Sequence, residues 1–98
     1  MAGPSFEWDE AKDRSNQKKH HVSFEEAKTV FFDEAALIAS DPDHSEDEDR
    51  FLIIGFSLQL RVLLVCFCDR RQGSVIRIIS ARKATTKEQR HYREGNLL

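Results

Sequence analysis

The sequence predicts an α+β domain: two N-terminal helices, a four-stranded antiparallel sheet and a C-terminal helix. Three observations carry this. Ser23-Phe24-Glu25-Glu26 and Thr85-Thr86-Lys87-Glu88 are capping-box signatures, each opening a helix. Between them, β-branched apolar runs are separated by turn chemistry. The helices flank the run of strands and do not alternate with it, which argues for a helix layer against a sheet.

The elements follow in order. Residues 1–5 lack the apolar stretch of a signal peptide and read as a flexible leader to a single domain spanning 1–98. Phe6-Glu7-Trp8 reads as a short extended lead-in, with Asp9 as N-cap of a polar helix over residues 10–20. That helix has acids in its first turn and Lys18-Lys19-His20 in its last, which suits the helix dipole. Its apolar stripe, chiefly Trp8 and Ala11, is thin, so it should lie on the surface. After Ser23, apolar Phe24, Ala27, Val30 and Phe31 recur at helical spacing. Strands are expected over 35–40, 50–57, 61–69 and 74–82, with an acidic, exposed, turn-forming loop at 41–49. The third, RVLLVCFCD, is apolar on both faces, the pattern of a central strand covered on both sides. In the turn DRRQGS, Gly73 is free to take a positive φ. The last helix covers 86–93.

The net charge of −2 conceals a strong polarity. Residues 1–60 carry 6 Lys+Arg against 14 Asp+Glu, and residues 61–98 carry 9 against 3. The basic third is where a nucleic-acid face would lie. Several classes are disfavoured. The apolar runs 51–54 and 62–68 are far too short to span a bilayer. Cys66 and Cys68, two apart on a strand, share a face, are poorly placed to bridge and lack a second pair for zinc. They are expected to be reduced, buried thiols, which fits a cytoplasmic protein. His20 and His21 are adjacent, no H-x-x-x-H or C-x-x-C occurs, and His44 lies in a solvated acidic loop. No metal site and no cofactor are expected, and no Gly-rich phosphate loop is present.

The strand Arg77-Ile78-Ile79-Ser80-Ala81 runs out into Arg82-Lys83 just before the second capping box. Two cations where a strand meets a helix are suited to gripping phosphate. In a meander the starts and ends of neighbouring strands meet, so Arg61 and Arg77 are expected to approach across the ladder from Arg70 and Arg71. The competing reading is that these charges only keep a sheet edge solvated, and charge pattern does not decide between the two. His20 could transfer protons near neutral pH or be an ordinary helix-end histidine. Tyr92 could stack on a base or anchor the last helix.

The runs FEWDEAKDRSNQKKH, VSFEEAKTVFFD, DEDRFLIIGFS, RVLLVCF and RIISARKATTKEQRHY together resemble the BrnT family from about Phe6 to Tyr92. The motifs F-x-W-D-x-x-K, K-H-G-[VI]-x-F and I-I-S-A-R-x-A are specific in combination. The resemblance implies a RelE-like fold and a small cytoplasmic endoribonuclease, the toxin of a type II toxin–antitoxin module. It would cleave RNA without metal by 2′-hydroxyl attack and block translation. Its implied partner is a BrnA-like ribbon-helix-helix antitoxin, through which alone it would meet operator DNA, and no membrane is involved. Carried over by motif, the catalytic set is His20, Arg61 and Arg82. Lys19, Arg77, Lys83 and Tyr92 are the expected RNA-binding residues. The alternative is a non-catalytic binding module acting only within an autoregulatory repressor complex. One departure stands out: His21 occupies the position where the family usually has glycine. A helix-ending, left-handed residue is expected there, where a histidine costs about 1 kcal/mol and is expected to lower activity.

Overall fold

Strand formation begins earlier than the sequence predicts. In the computed structural model, which describes residues 3–44 and 49–96, Ser5–Glu7 is a strand, β1. It pairs in parallel with Val75–Arg77, and the Ser5 N–H donates to the Ser74 carbonyl at 3.0 Å. The leader therefore does not extend to Ser5; of residues 1–5, Met1 and Ala2 lie outside the described residues. A three-residue strand carries almost no periodicity of its own. It exists because the outer edge of a distant strand offers unpaired main-chain groups.

The remaining strands are β2 (Leu37–Ser40), β3 (Arg50–Phe56), β4 (Val62–Arg70) and β5 (Val75–Lys83). The sheet order is β1-β5-β4-β3-β2, so the expected four-stranded antiparallel sheet is a five-stranded mixed one with an antiparallel meander inside it. β4 is the central strand, as its apolar run predicts. The helices are α1 (Glu10–His20), α2 (Phe24–Thr29) and α3 (Thr86–Glu94), and α2 tightens into a 3₁₀ turn at Val30–Phe32. Their starts match their caps. Asp9 accepts from the amides of Ala11 and Lys12, Ser23 from Glu26, and Thr85 and Glu88 complete a reciprocal box.

α1 and α2 cover one face of the sheet. Val22, Phe24, Ala27 and Val30 pack there against Ile53, Leu63, Val65, Phe67, Ile76, Ile78 and Ala81, all buried. Phe31 bridges Phe6 and Phe67 edge-on, with ring centroids 5.2 and 5.0 Å away. Each large side chain fully buried in this layer contributes roughly 1.5–3 kcal/mol, and truncating Phe24 would cost about 3–5 kcal/mol. At Gly55, an added Cβ would lie 2.9 Å from Asp33 Oδ2 and 3.0 Å from the Ala36 Cβ, so only glycine lets this corner close.

The opposite face is covered only in part, unlike the doubly covered strand expected from β4. α3 sits at one end, with Tyr92 edge-on to Phe56 at 5.7 Å. A 3₁₀ turn at Pro42–His44 lies along the groove at the other. Between them Leu52, Leu64 and Cys66 stay half-buried.

One irregularity decides which side chains reach that open face. Ile78 pairs with Phe67 and Ser80 with Cys66, so Ile79 is an extra residue in β5. The bulge shifts the two-residue period by one. Ile76 and Ile78 face the helices before it, Ala81 after it. Ser80 and Arg82 are thereby turned outward. Without the bulge Arg82 would point into the core.

Candidate active site

The C-terminus of α1 meets β5 beside this bulge, and the contact is polar. Asn16 is buried; its amide donates to the carbonyls of Val22 (2.9 Å) and Ala81 (2.8 Å), and its oxygen accepts from the Ala81 N–H (3.2 Å). It thus satisfies the edge of β5 just beyond the reach of β1. Buried Asp13 accepts from the Phe24 N–H at 2.9 Å. The helix lacks an apolar stripe because these two polar residues face inward, each with its partners provided.

His20 ends α1. His21 follows at φ 59, ψ 33, in the left-handed region, and its N–H closes on the Gln17 carbonyl. The helix-ending conformation inferred for this position is the observed one, adopted by a non-glycine residue. Its carbonyl accepts from Arg61 Nη2 at 2.7 Å.

His20 lines two adjoining depressions. One holds Lys19 with Ile79 and Ser80. The other, a groove of about 530 Å³, holds Arg82 and Glu88 at the same end as His20 and runs across the open sheet face to Arg50. The structure therefore brings His20 and Arg82 to one groove, with Lys19 in the depression that adjoins it at His20. Arg82 forms a fork with Glu88 at 2.8 and 2.9 Å. The Arg82 guanidinium, aided by the Thr85 amide, holds the Glu88 carboxyl below the usual range against partial burial.

The other expected site residues lie elsewhere. Arg61 forms a second fork with Glu26, at 2.7 and 2.5 Å, and Ser57 adds a hydrogen bond to the same carboxylate at 2.7 Å. The Glu26 side chain is only 2% exposed. Arg61 holds the Glu26 carboxyl low despite burial, with Ser57 and nearby Lys83 acting in the same direction. Glu26 thus turns away from the Ser23 box to a tertiary partner. Arg77 pairs with Glu7 of β1 at 3.1 Å. It lies opposite Cys68, seven residues along β4 from Arg61, or roughly 23 Å in an extended strand. The expected approach of Arg61 and Arg77 does not occur. Tyr92 donates its hydroxyl to Asp33 at 2.6 Å, and burial with this bond pushes its pKa up to about 12. It ties α3 to the corner at Gly55, away from the trough.

Glu88, Glu26 and Asn16 were not singled out as site residues. The two glutamates were visible only as capping-box members, and nothing local marked Asn16. Both cysteines are free; Cys66 borders the groove, donates to Asp41 at 3.5 Å, and burial with that carboxylate pushes its thiol up to about 11. Among the described residues no three His, Cys, Asp or Glu side chains are grouped to hold a metal, and no helix is long and apolar enough to cross a membrane.

This fold, a mixed sheet with paired helices packed on one face, is shared with a small ribonuclease toxin. The structure is similar to that of the Brucella abortus ribonuclease toxin, BrnT, with a TM-score of 0.65 and 24% identity, over 85% of this chain and 99% of that one. Residues 8–88 match the family described as ribonuclease toxin, BrnT, of type II toxin–antitoxin systems, and the chain belongs to that family. Comparison with curated proteins finds no match.

Proposed function

We propose that this chain is a metal-independent endoribonuclease, the toxin of a type II pair, acting in the cytoplasm and blocking translation by cutting RNA. The observation that carries the reading is the meeting of His20 and Arg82 in one groove, with Arg82 turned into it by the β5 bulge and Lys19 in the adjoining depression. The 2′-hydroxyl attacks the adjacent phosphate, giving a 2′,3′-cyclic phosphate and a 5′-hydroxyl. His20 transfers a proton in this step. Arg82 shares its fork between Glu88 and a phosphate whose charge grows in the transition state, and Lys19 steers the strand. Arg61 is a positioning residue: its fork is filled by Glu26, and it fixes the His21 carbonyl next to His20. Lys83, Arg77 and Tyr92 meet RNA only outside the trough. A ribbon-helix-helix antitoxin of BrnA type neutralises the chain by covering the trough, and operator DNA is met only through it.

One observation favours a second reading. Both central arginines are already paired with carboxylates, as in a non-catalytic module that serves only in a repressor complex. Incubating purified chain with RNA in EDTA separates the two. Cleavage that leaves cyclic phosphate ends and disappears in His20→Ala and Arg82→Ala supports the nuclease. Intact RNA, with undiminished antitoxin binding, supports the module.

A further inference from the structure

The groove that begins at His20 and Arg82 continues well past them, and its far end has a different chemistry. Its floor is the half-buried apolar surface of Leu52 and Leu64 on neighbouring strands. Its far wall carries Arg50, whose Nε is buried without a hydrogen-bond partner among the described residues. Beside Arg50 the 3₁₀ turn brings in Asp43, exposed, with its main-chain N–H held by Asp41 Oδ1 at 3.0 Å. His20 and the Arg82–Glu88 pair thus edge one end of the groove, and two carboxylates with the unmet donor of Arg50 edge the other. A nucleotide has the same polarity, with an anionic phosphate at one end and a flat base edged by donors and acceptors at the other.

We infer that this far end is the seat of the nucleobase next to the scissile phosphate, and that Arg50 and Asp43 make it select guanine. The inference rests on the ribonuclease reading and names its substrate more narrowly. Orientation follows from charge: Asp41 and Asp43 repel phosphate, so the backbone must lie at the Arg82 end. The leucine floor takes the face of the base. Guanine alone among the four bases presents two adjacent donors, N1–H and the N2 amino group, to a carboxylate while offering O6 and N7 to an arginine. Uracil brings one donor flanked by two carbonyls, which a carboxylate repels. A volume of about 530 Å³ falls within the range of small-molecule sites.

The test uses the full chain and short RNAs that differ only at the nucleotides flanking the cut. Guanine at one flanking position is expected to be cleaved roughly tenfold faster than uracil. Asp43→Asn, which preserves shape at an exposed position, and Arg50→Gln should each lower that ratio several-fold. Binding of guanosine and uridine 5′-monophosphates, followed by NMR at the Leu52 and Leu64 methyls, reads the seat without relying on catalysis. Tighter guanosine binding that perturbs these methyls supports the seat even if no RNA is cut. RNA cleavage without base preference, a guanine preference that survives Asp43→Asn, or equal binding of the two nucleotides would overturn it. The first two of these results leave the nuclease reading standing.

Discussion

Replacing His21 by glycine should make this protein more stable, an unusual direction for a single substitution. His21 sits at φ 59 and ψ 33, where the Cβ of an L-residue crowds its own carbonyl. That conformation costs a non-glycine residue roughly 1–2 kcal/mol. Glycine loses more backbone entropy on folding, which takes back about half of a gain of this size. A net stabilisation of about 0.5–1 kcal/mol remains, equivalent to a rise in Tm of about 2–8 °C for a domain of this length. The favourable contacts survive, because both are main-chain: the N–H to Gln17 and the carbonyl to Arg61. The His21 side chain is exposed, so its removal uncovers no core. Thermal melting followed by circular dichroism, with His21→Ala as control, checks the argument. Alanine keeps the Cβ and should show no comparable rise. A glycine variant that melts at or below the parent temperature, or an alanine variant that rises equally, would refute the reasoning. Cleavage of a model RNA by His21→Gly is expected to increase, since the imidazole beside His20 is gone.

Other outcomes follow from the same contacts. Arg82→Ala should abolish toxicity in cells lacking the antitoxin while changing stability by about 1 kcal/mol, since the pair with Glu88 is only partly buried; continued growth arrest would remove Arg82 from the mechanism. Arg61→Ala leaves the Glu26 carboxylate buried without its cation and should cost about 3 kcal/mol, read as a shifted urea midpoint. Glu26 and Glu88 are both held below the ordinary glutamate range. Their contribution is therefore fully present above the unfolded value of roughly 4.3 and is lost as pH falls through the lower folded values. A melting profile against pH should drop in that acid window, and less steeply in Glu26→Gln. Gly55→Ala forces a Cβ against Asp33 and Ala36 and should cost about 1–3 kcal/mol, with the Tyr92 anchor loosened as Asp33 shifts; an unchanged Tm would mean that the corner yields freely.

Much of the architecture was legible from local pattern. The three helix starts, the strand set from β2 to β5, the central place of β4 and the positive φ of Gly73 all depend on residues within a few positions of one another. Capping signatures, two-residue alternation and turn chemistry report on such short-range geometry directly. The family was legible too, through motifs spread along most of the chain. The candidate site was legible only as residue types. His20 and Arg82 do share a groove with Lys19 beside it, whereas Arg61, Arg77 and Tyr92 are held by Glu26, Glu7 and Asp33, partners that no spacing rule indicated.

What remained for the tertiary structure was every feature settled between segments far apart in sequence. β1 is a strand because β5 has a free edge, and Asn16 is buried because the same edge is uncovered at Ala81. The Glu26 side chain leaves the capping box for an arginine 35 residues away, while its N–H stays on Ser23. Most decisive is the bulge at Ile79. Read with a strict two-residue period, Ile76 and Ile78 would carry Arg82 into the core. The extra residue reverses the phase and sets the guanidinium on the open face beside His20. Local sequence determined which elements form, because capping and alternation act over one or two turns. Only the packed sheet decided where Arg82 points, because the phase of a strand depends on the neighbours it must pair with.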